Sequence, residues 1–323
     1  MMYKRQISVC LVKALALALL CSCSEGKDGA AVDGGLMRLG ASVSDTRGTM
    51  IGSTSEFETA YASDGIGVWM YDKAATPACL LSNVPFIQVT YNESQVWMSV
   101  PGRNWPSVET DLYAYAPLGA SLSITSGGTF SYTVPTDNAL QTDLTVASSM
   151  GIPSYYQTHT ASGLLPLTFR HALAAVRFQT GTPMVAGTFK SITIGGVYTS
   201  GTYTFSTHSW AVSGSATGSS QLDTDATVTA STLAGTGITA RTGTFFMMPQ
   251  TFAENTQYVE LVFNDGLADH HLKEYLSNLT DLKWEPGKEY IYTVSLNSTE
   301  IVLDCTVADA FTETAENYFT TSH

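Results

Sequence analysis

The sequence contains few cysteines, few charged residues and no apolar run long enough to cross a membrane. It has five cysteines in 323 residues, and only Cys79 and Cys305 lie beyond the first 23 residues. At most one disulfide can therefore form between them, and two buried thiols are at least as compatible with this count. The apolar run from Leu15 to Leu20 is too short for a membrane-spanning helix.

Basic residues are also scarce. The chain has 15 Lys and Arg against 28 Asp and Glu. Removing residues 1–22 leaves 12 basic residues and no fewer acids, so the formal charge becomes −16. A polyanionic surface repels nucleic acids and anionic lipid headgroups, and we expect neither as a partner.

Catalytic motifs are missing. The sequence has no P-loop, no HExxH metal motif and no GxSxG nucleophile elbow. Gly65 and Gly67 imitate the start of a dinucleotide fingerprint, but without a third glycine or a following helix they indicate the entry to a strand. We predict neither an enzyme nor a bound cofactor.

Histidines are found in two noteworthy places. One local cluster has metal-ligand types, but adjacent histidines point apart on a strand, and on a helix only one of them could pair with the glutamate. A solvated loop is favoured over a metal site for Asp269, His270, His271 and Glu274. His171 sits in an apolar run and is predicted to be a hydrogen-bonded core histidine.

The N-terminus is typical of an exported lipoprotein. Lys4 and Arg5 precede the apolar run, which ends in Leu20, Cys21, Ser22 and Cys23. Residues 1–22 therefore read as a secretory signal, and Cys23 is the predicted lipidation site. Cys21 is the competitor, although a bulky leucine precedes it, and an ordinary cleaved signal is the alternative. Residues 23–35 form a polar tether, and a lipid would be the only contact with the membrane.

Alternation of apolar and polar residues dominates the rest of the chain. It predicts an all-β protein of two successive β-sandwich domains, residues 36–180 and 181–308, followed by a tail, 309–323. An early strand is predicted over Met37–Val43 and an exposed loop over 45–64. The only helical indications are weak, over 140–149 and 270–276. The remaining predicted strands are 66–71, 86–91, 96–100, 111–116, 129–134, 164–169, 174–179, 189–194, 201–205, 226–230, 243–248, 258–264, 289–296 and 301–307.

Several segments resemble the fimbrillin (Mfa-like) family, the lipoprotein-derived type V pilins of Bacteroidetes. The segments are DGIGVWMY at 64–71, WPSVETDLYAYAP at 105–117, LTFRHALAAVRF at 167–178, GGVYTSGTY at 195–203, MPQT at 248–251 and WEPGKEYIY at 284–292. The resemblance implies two transthyretin-like (Ig-like) β-sandwich domains with few helices, and an outer-membrane lipoprotein precursor. It also implies cleavage by an arginine-specific protease, polymerisation with other pilin subunits by donor-strand exchange, and adhesive cell-surface fimbriae.

Two parts of the sequence match the chemistry of that assembly. The strand at Met37–Val43 would be the removable one, and Arg47 follows it in a polar loop where a protease can bind an extended chain. Arg38 is the rival cleavage site, but it lies within the strand pattern. In the tail, Phe311, Ala315 and Phe319 share the parity expected of a donor strand, which Asp309 and Glu313 interrupt; a frayed tail is the alternative.

A second class of function is a monomeric or anchor-type surface lipoprotein that binds a glycan or host ligand. Aromatic side chains provide flat surfaces for sugars, but in sandwiches most of them belong to the core or its rim. The candidates by residue type are Trp97, Trp105, Tyr198, Tyr203 and Trp210.

Overall fold

The computed structural model describes residues 35–44, 53–158, 163–239, 243–279, 283–297 and 301–308. These residues are mostly β-structure, which confirms the all-β prediction. The strands are β1 (Arg38–Val43), β2 (Ile66–Asp72), β3 (Cys79–Tyr91), β4 (Ser94–Ser99), β5 (Thr110–Ala116), β6 (Thr129–Thr133), β7 (Thr145–Ile152), β8 (Leu164–His171), β9 (Ala174–Thr180), β10 (Gly187–Val197), β11 (Ser200–Thr204), β12 (Ser209–Ser213), β13 (Gly218–Val228), β14 (Phe245–Met247), β15 (Tyr258–Asn264), β16 (Asp269–Tyr275), β17 (Glu289–Leu296) and β18 (Ile301–Ala308).

The N-terminal half closes its main sheet into a barrel. The strand order is β1-β4-β3-β2-β5-β7-β8, and β1 pairs with β8 to complete the circle. Within the described ranges, the one α-helix is α1 (Thr54–Tyr61), which follows β1 and packs on the barrel. Short 3₁₀ turns occur at Leu118–Ala120, Asn138–Leu140, Tyr156–Thr158 and Leu276–Asn278.

The C-terminal half is a sandwich of two four-stranded sheets. Their orders are β13-β10-β15-β16 and β14-β9-β17-β18, and the side chains between them form one apolar cluster. A separate three-stranded sheet, β12-β11-β6, packs against the barrel. The strand β6 pairs with β11, and β9 pairs with β14 and β17. Hydrogen-bonded ladders therefore cross the domain boundary predicted after residue 180.

Two strands of the barrel are buried on both faces. Alternate side chains of β2 point into different clusters: Val68 and Met70 face the barrel interior, while Trp69 and Tyr71 face the three-stranded sheet. The neighbouring strand β5 is buried along its whole length. A strand covered on both sides needs no polar face, which explains why neither residues 66–71 in β2 nor residues 112–116 in β5 include a charged residue.

Most predicted strands are confirmed within a few residues, and the errors have physical causes. The predicted loop over 45–64 contains α1 in its described part, and the two weakly helical segments are strands: 140–149 runs into β7, and 270–276 is almost entirely β16. The strand β16 is an exposed edge with polar side chains on both faces, so it lacks the alternation that marks a strand. The strand β12 was not predicted.

Cys79 and Cys305 both keep the thiol form and are half-buried in different clusters, one beside the three-stranded sheet and the other in the sandwich. The prediction of a hydrogen-bonded core histidine is confirmed, since the buried His171 has its Nδ1 2.9 Å from Oδ1 of Asp143.

No helix in the described ranges is both long and apolar enough to cross a membrane.

Gly67, the second residue of β2, provides a test of barrel packing. A Cβ atom on Gly67 would clash with the ring of Tyr115, whereas one on Gly119 would meet nothing within 4 Å. We therefore expect Gly67→Ala to lower the free energy of unfolding by about 1–3 kcal/mol, as overpacking does. Gly119→Ala is the matched control and should change it by less than about 0.5 kcal/mol. Urea unfolding of both variants measures the difference; equal stabilities would contradict the packing of β2 against β5.

Candidate functional site

The first strand, β1, has the most unusual pairing in the barrel. It runs parallel to β8 in continuous register from Arg38↔Leu164 to Val43↔Phe169. On its other side it pairs with β4 at a single position, Leu39↔Trp97. The strand β1 therefore lies between β4 and β8 and joins the two ends of the sheet. We call this position of β1 the seam of the barrel.

Hydrogen bonds fix both ends of this strand. Before β1, the amide of Met37 donates to the carbonyl of Arg103 at 2.7 Å, and the amide of Trp105 donates to the carbonyl of Gly35 at 3.0 Å. After it, the amide of Ser44 donates to the carbonyl of Phe169 at 2.9 Å. The register of β1 in the seam is therefore defined over its full length.

The side chains of β1 alternate as the sequence predicts. Leu39 and Met37, the residue just before β1, are 0% and 1% exposed, and Ala41 and Val43 pack against the same cluster from partly buried positions. Ser42, on the opposite face, is exposed. One row of apolar side chains from β1 thus completes the interior of the barrel.

The helix α1 packs against the barrel beside this seam. The fully buried ring of Phe57 lies 5.8 Å from Trp97 on β4 and 4.6 Å from Phe169 on β8, measured between ring centroids. Phe57 therefore contacts both strands that border β1. A capping signal was present in the sequence: the Ser53 side chain accepts a hydrogen bond from the Glu56 amide at 3.1 Å, an S-x-x-E pattern at a helix start.

A buried polar group joins α1 to the rest of the barrel. The hydroxyl of Tyr61 donates to the carbonyl of Asp143, whose carboxylate lies beside His171. Burial, and secondly the charge of Asp143, raises the pKa of Tyr61 far above its usual value. The phenol is thus a permanent neutral donor, and this contact serves positioning rather than proton transfer.

The comparisons with known proteins bear on this architecture. A family model described as fimbrillin-like matches residues 46–309. The chain belongs to the fimbrillin-like family. No curated protein is similar enough to count as a match. Membership of this family supports a fimbrial subunit role at the cell surface, in assembly with other subunits.

Solved structures share the fold of this fimbrillin-like chain. A fimbrial protein from Bacteroides vulgatus has a TM-score of 0.57 at 12% identity, covering 85% of this chain and 99% of its own. A candidate cell adhesion protein from Bacteroides ovatus has a TM-score of 0.57 at 17% identity, with coverages of 86% and 99%. Another from Bacteroides uniformis has 0.55 at 18%, with 86% and 98%. At these identities the likeness shows a common fold.

The predicted processing and assembly residues of the fimbrillin-like chain lie outside the described residues. They are Cys23, Arg47, Phe311, Ala315 and Phe319. The rival cleavage residue, Arg38, lies in β1, where its guanidinium stacks 4.7 Å from the centroid of the Tyr91 ring.

The remaining candidate residues have structural positions. Of the five aromatic candidates for a glycan site, Trp97, Trp105 and Tyr203 are at most 3% exposed, so these three belong to the core. His270 and His271 lie on the exposed strand β16 and pair separately with Asp265 and Glu260, at 2.9 and 3.0 Å. The described residues contain no group of three or more His, Cys, Asp or Glu side chains that could hold a metal.

Leu39 provides the test of the seam. Its complete burial predicts that Leu39→Ala lowers the free energy of unfolding by about 2–5 kcal/mol, because a cavity forms where β1 meets β4. Ser42→Ala, on the exposed face of the same strand, is the control and should cost less than about 1 kcal/mol. Thermal or urea unfolding measures both. A small effect at Leu39 would show that β1 does not fill the barrel as described.

Proposed function

We propose that the chain is a structural pilin subunit that polymerises by donor-strand exchange into cell-surface fimbriae. The observation that supports this most directly is the position of β1, a short strand at the seam of the barrel whose apolar row completes the core. Withdrawal of β1 would leave a groove between β4 and β8 lined by apolar side chains. A strand from another subunit could then fill that groove by main-chain pairing.

The groove would be unstable while empty. Met37 and Leu39 are buried large side chains, and each contributes roughly 1.5–3 kcal/mol when removed from water. Because Phe57 contacts both Trp97 and Phe169, α1 would continue to connect the two walls after β1 has left. An incoming strand would restore both the burial and the hydrogen bonds.

Proteolysis after Arg47 is the proposed trigger. In the sequence Arg47 follows the last residue of β1 by four positions and precedes α1, so cleavage there would separate β1 from the body of the protein. Cleavage at Arg38 is disfavoured, since this residue is paired with Leu164 within the sheet and would have to be unpaired first. The new N-terminus would be Gly48. An arginine-specific protease is the partner for this step.

The donor is proposed to be the C-terminal tail. The preceding strand β18 pairs with β17 along its whole length, from Leu296↔Ile301 to Glu289↔Ala308, and Leu303 packs into the sandwich. Because β18 is committed to its own domain, the segment that begins at residue 309 is available for a neighbour. Phe311, Ala315 and Phe319 would be the side chains that enter the groove.

The precursor is proposed to be held at the outer membrane by a lipid on Cys23. Cleavage after Arg47 removes both the lipid and β1, so release from the membrane and opening of the groove are one event. A chain that kept its lipid would instead act as an anchor subunit or as a monomeric ligand-binding lipoprotein.

The processing step is tested on protein recovered from the outer surface of native cells. We expect the wild-type chain to begin at Gly48 without lipid and to be polymeric. Arg47→Ala should keep the lipid on Cys23 and should not polymerise, because β1 stays in the barrel. Arg38→Ala is the matched control and should be processed like wild type. N-terminal sequencing, lipid analysis and size-exclusion chromatography read the outcome; processing of Arg47→Ala at wild-type level would contradict the proposal.

The donor strand is tested with a cleaved chain that ends at Ala308. We expect this chain not to polymerise and to bind a synthetic peptide of residues 309–323. A Phe311→Asp or Phe319→Asp peptide should bind at least about tenfold more weakly, since 1.4 kcal/mol corresponds to tenfold in affinity and each lost phenyl exceeds that.

The matched control for the donor strand is Thr312→Asp, which places the charge on the opposite face of the same peptide. It should bind nearly as well as the parent peptide. An equal loss of affinity for the Thr312→Asp and Phe311→Asp peptides would overturn the proposed face of the donor strand. Polymerisation of the tail-deleted chain would overturn the assignment of the tail as the donor.

A further inference from the structure

The three-stranded sheet β12-β11-β6 is built from the two long uncharged stretches of the sequence. Residues 112–136 and 191–222 contain no Asp, Glu, Lys or Arg, and β6, β11 and β12 all fall within them. The chain as a whole has a formal charge of −13. This sheet is therefore a neutral surface on an acidic protein.

The outward face of this sheet is a regular grid of hydroxyl groups. In its three rows, Thr129 lies beside Thr204 and Ser209, Ser131 beside Thr202 and Ala211, and Thr133 beside Ser200 and Ser213. Hydroxyls of adjacent strands contact each other, with oxygen separations of 3.3 Å for Ser131 and Thr202 and 2.8 Å for Thr133 and Ser200. Eight of the nine positions carry a hydroxyl, and Ala211 is the exception.

The inner face holds the edge strand firmly in place. The ring of Trp210 lies 5.2 Å from that of Tyr203 and 5.6 Å from that of Phe130, between centroids. Its Nε1 donates to the carbonyl of Ala172 at 2.6 Å. The strand β12 is thus anchored to the core through one side chain, while its other four residues are exposed.

The strand β12 lacks the charged side chains that three other edge strands carry. The edge strand β13 carries Asp223 and Asp225, β16 carries Asp269, Lys273 and Glu274, β18 carries Asp304, and β14 is three residues long. Charges and short length are the usual devices that prevent one sheet edge from pairing with another. Among the described residues, no strand pairs with the outer edge of β12, and its companion edge β6 is more buried.

We propose that β12 pairs antiparallel with β12 of a second copy of this chain, about a two-fold axis at Ala211. The sequence Ser-Trp-Ala-Val-Ser is self-complementary about that residue. Ser209 would face Ser213 of the second copy, Trp210 would face its Val212, and the two Ala211 residues would face each other. A two-fold interface requires this kind of self-complementarity.

Electrostatics favours a second copy as the occupant. Two mature chains, each with a formal charge of −16, repel each other at most orientations, and the neutral sheet is the face where close approach adds least repulsion. Val212 is a large apolar side chain that is 38% exposed, and pairing would cover it against Trp210 of the other copy. A neutral glycan is disfavoured, because the aromatic rings of this sheet point inward.

The contact is short, so we expect a weak dimer in solution. Its effect grows when subunits are arrayed, since each added contact then becomes intramolecular. The pairing of β12 does not depend on strand exchange, because β12 belongs to the three-stranded sheet and β1 belongs to the barrel. It can therefore be tested in a chain that cannot polymerise by that route.

The test uses the mature full-length chain carrying Cys23→Ser and Arg47→Ala, studied by sedimentation velocity at concentrations up to about 1 mM, a range that detects weak association. We expect reversible dimers. Ala211→Lys and Ala211→Glu should each weaken dimerisation at least about tenfold, because like charges then face each other across the axis. An equimolar mixture of the two variants should restore it, since the charges become opposite.

Ser131→Lys is the matched control. It adds the same charge in the same row of the grid, two strands from the edge, and should dimerise like the parent. Restoration in the mixture shows that the single variants are folded. A parent chain that stays monomeric at all concentrations would overturn the proposal, and so would a mixture that fails to dimerise. Either result would also overturn it if the sheet were found to bind a neutral glycan instead.

Discussion

The parallel ladder between β1 and β8 is the interaction on which the N-terminal half depends. It joins residues 38–43 to residues 164–169, and it is the contact that turns an open sheet into a barrel. β1 contributes both a backbone for β8 and a row of side chains for the core, while its contact with β4 is limited to one residue pair. Closure of the barrel and burial of its core both follow from a strand of six residues near the start of the chain.

The opposite side of the barrel has a different role. Because β2 and β5 are covered by the barrel interior on one face and by the three-stranded sheet on the other, they connect two apolar clusters. Their side chains alternate between these clusters, so a change at Trp69 and a change at Val68 disturb different parts of the molecule. In the proposed exchange, the seam at β1 would open while the opposite wall stays packed against the three-stranded sheet.

The sequence predicts what is local and misses what depends on distant parts of the chain. Alternation correctly predicts β1 and which of its faces is buried, because Met37, Leu39 and Val43 lie on one face of this segment and that face contacts the barrel core. It failed at α1, since eight residues contain too few turns to establish a helical period, and the capping pattern at Ser53 was the better signal. It misses β12 because this strand has only five residues and only Trp210 among them is even partly buried. The partners of β1, and the ladders that cross residue 180, follow from contacts between remote segments that no local pattern records. The five predicted processing and assembly residues, Cys23, Arg47, Phe311, Ala315 and Phe319, stay predictions.

The direction of β1 has a mechanical consequence. A strand that lies lengthwise between neighbours and is pulled along its axis cannot release its hydrogen bonds one at a time, as a peeled strand does. All six ladder positions from Arg38 to Val43 are loaded together in shear. A strand seated in this groove would resist tension along the strand axis far better than tension across it. The orientation of this seam therefore sets the direction in which a joint made there withstands force.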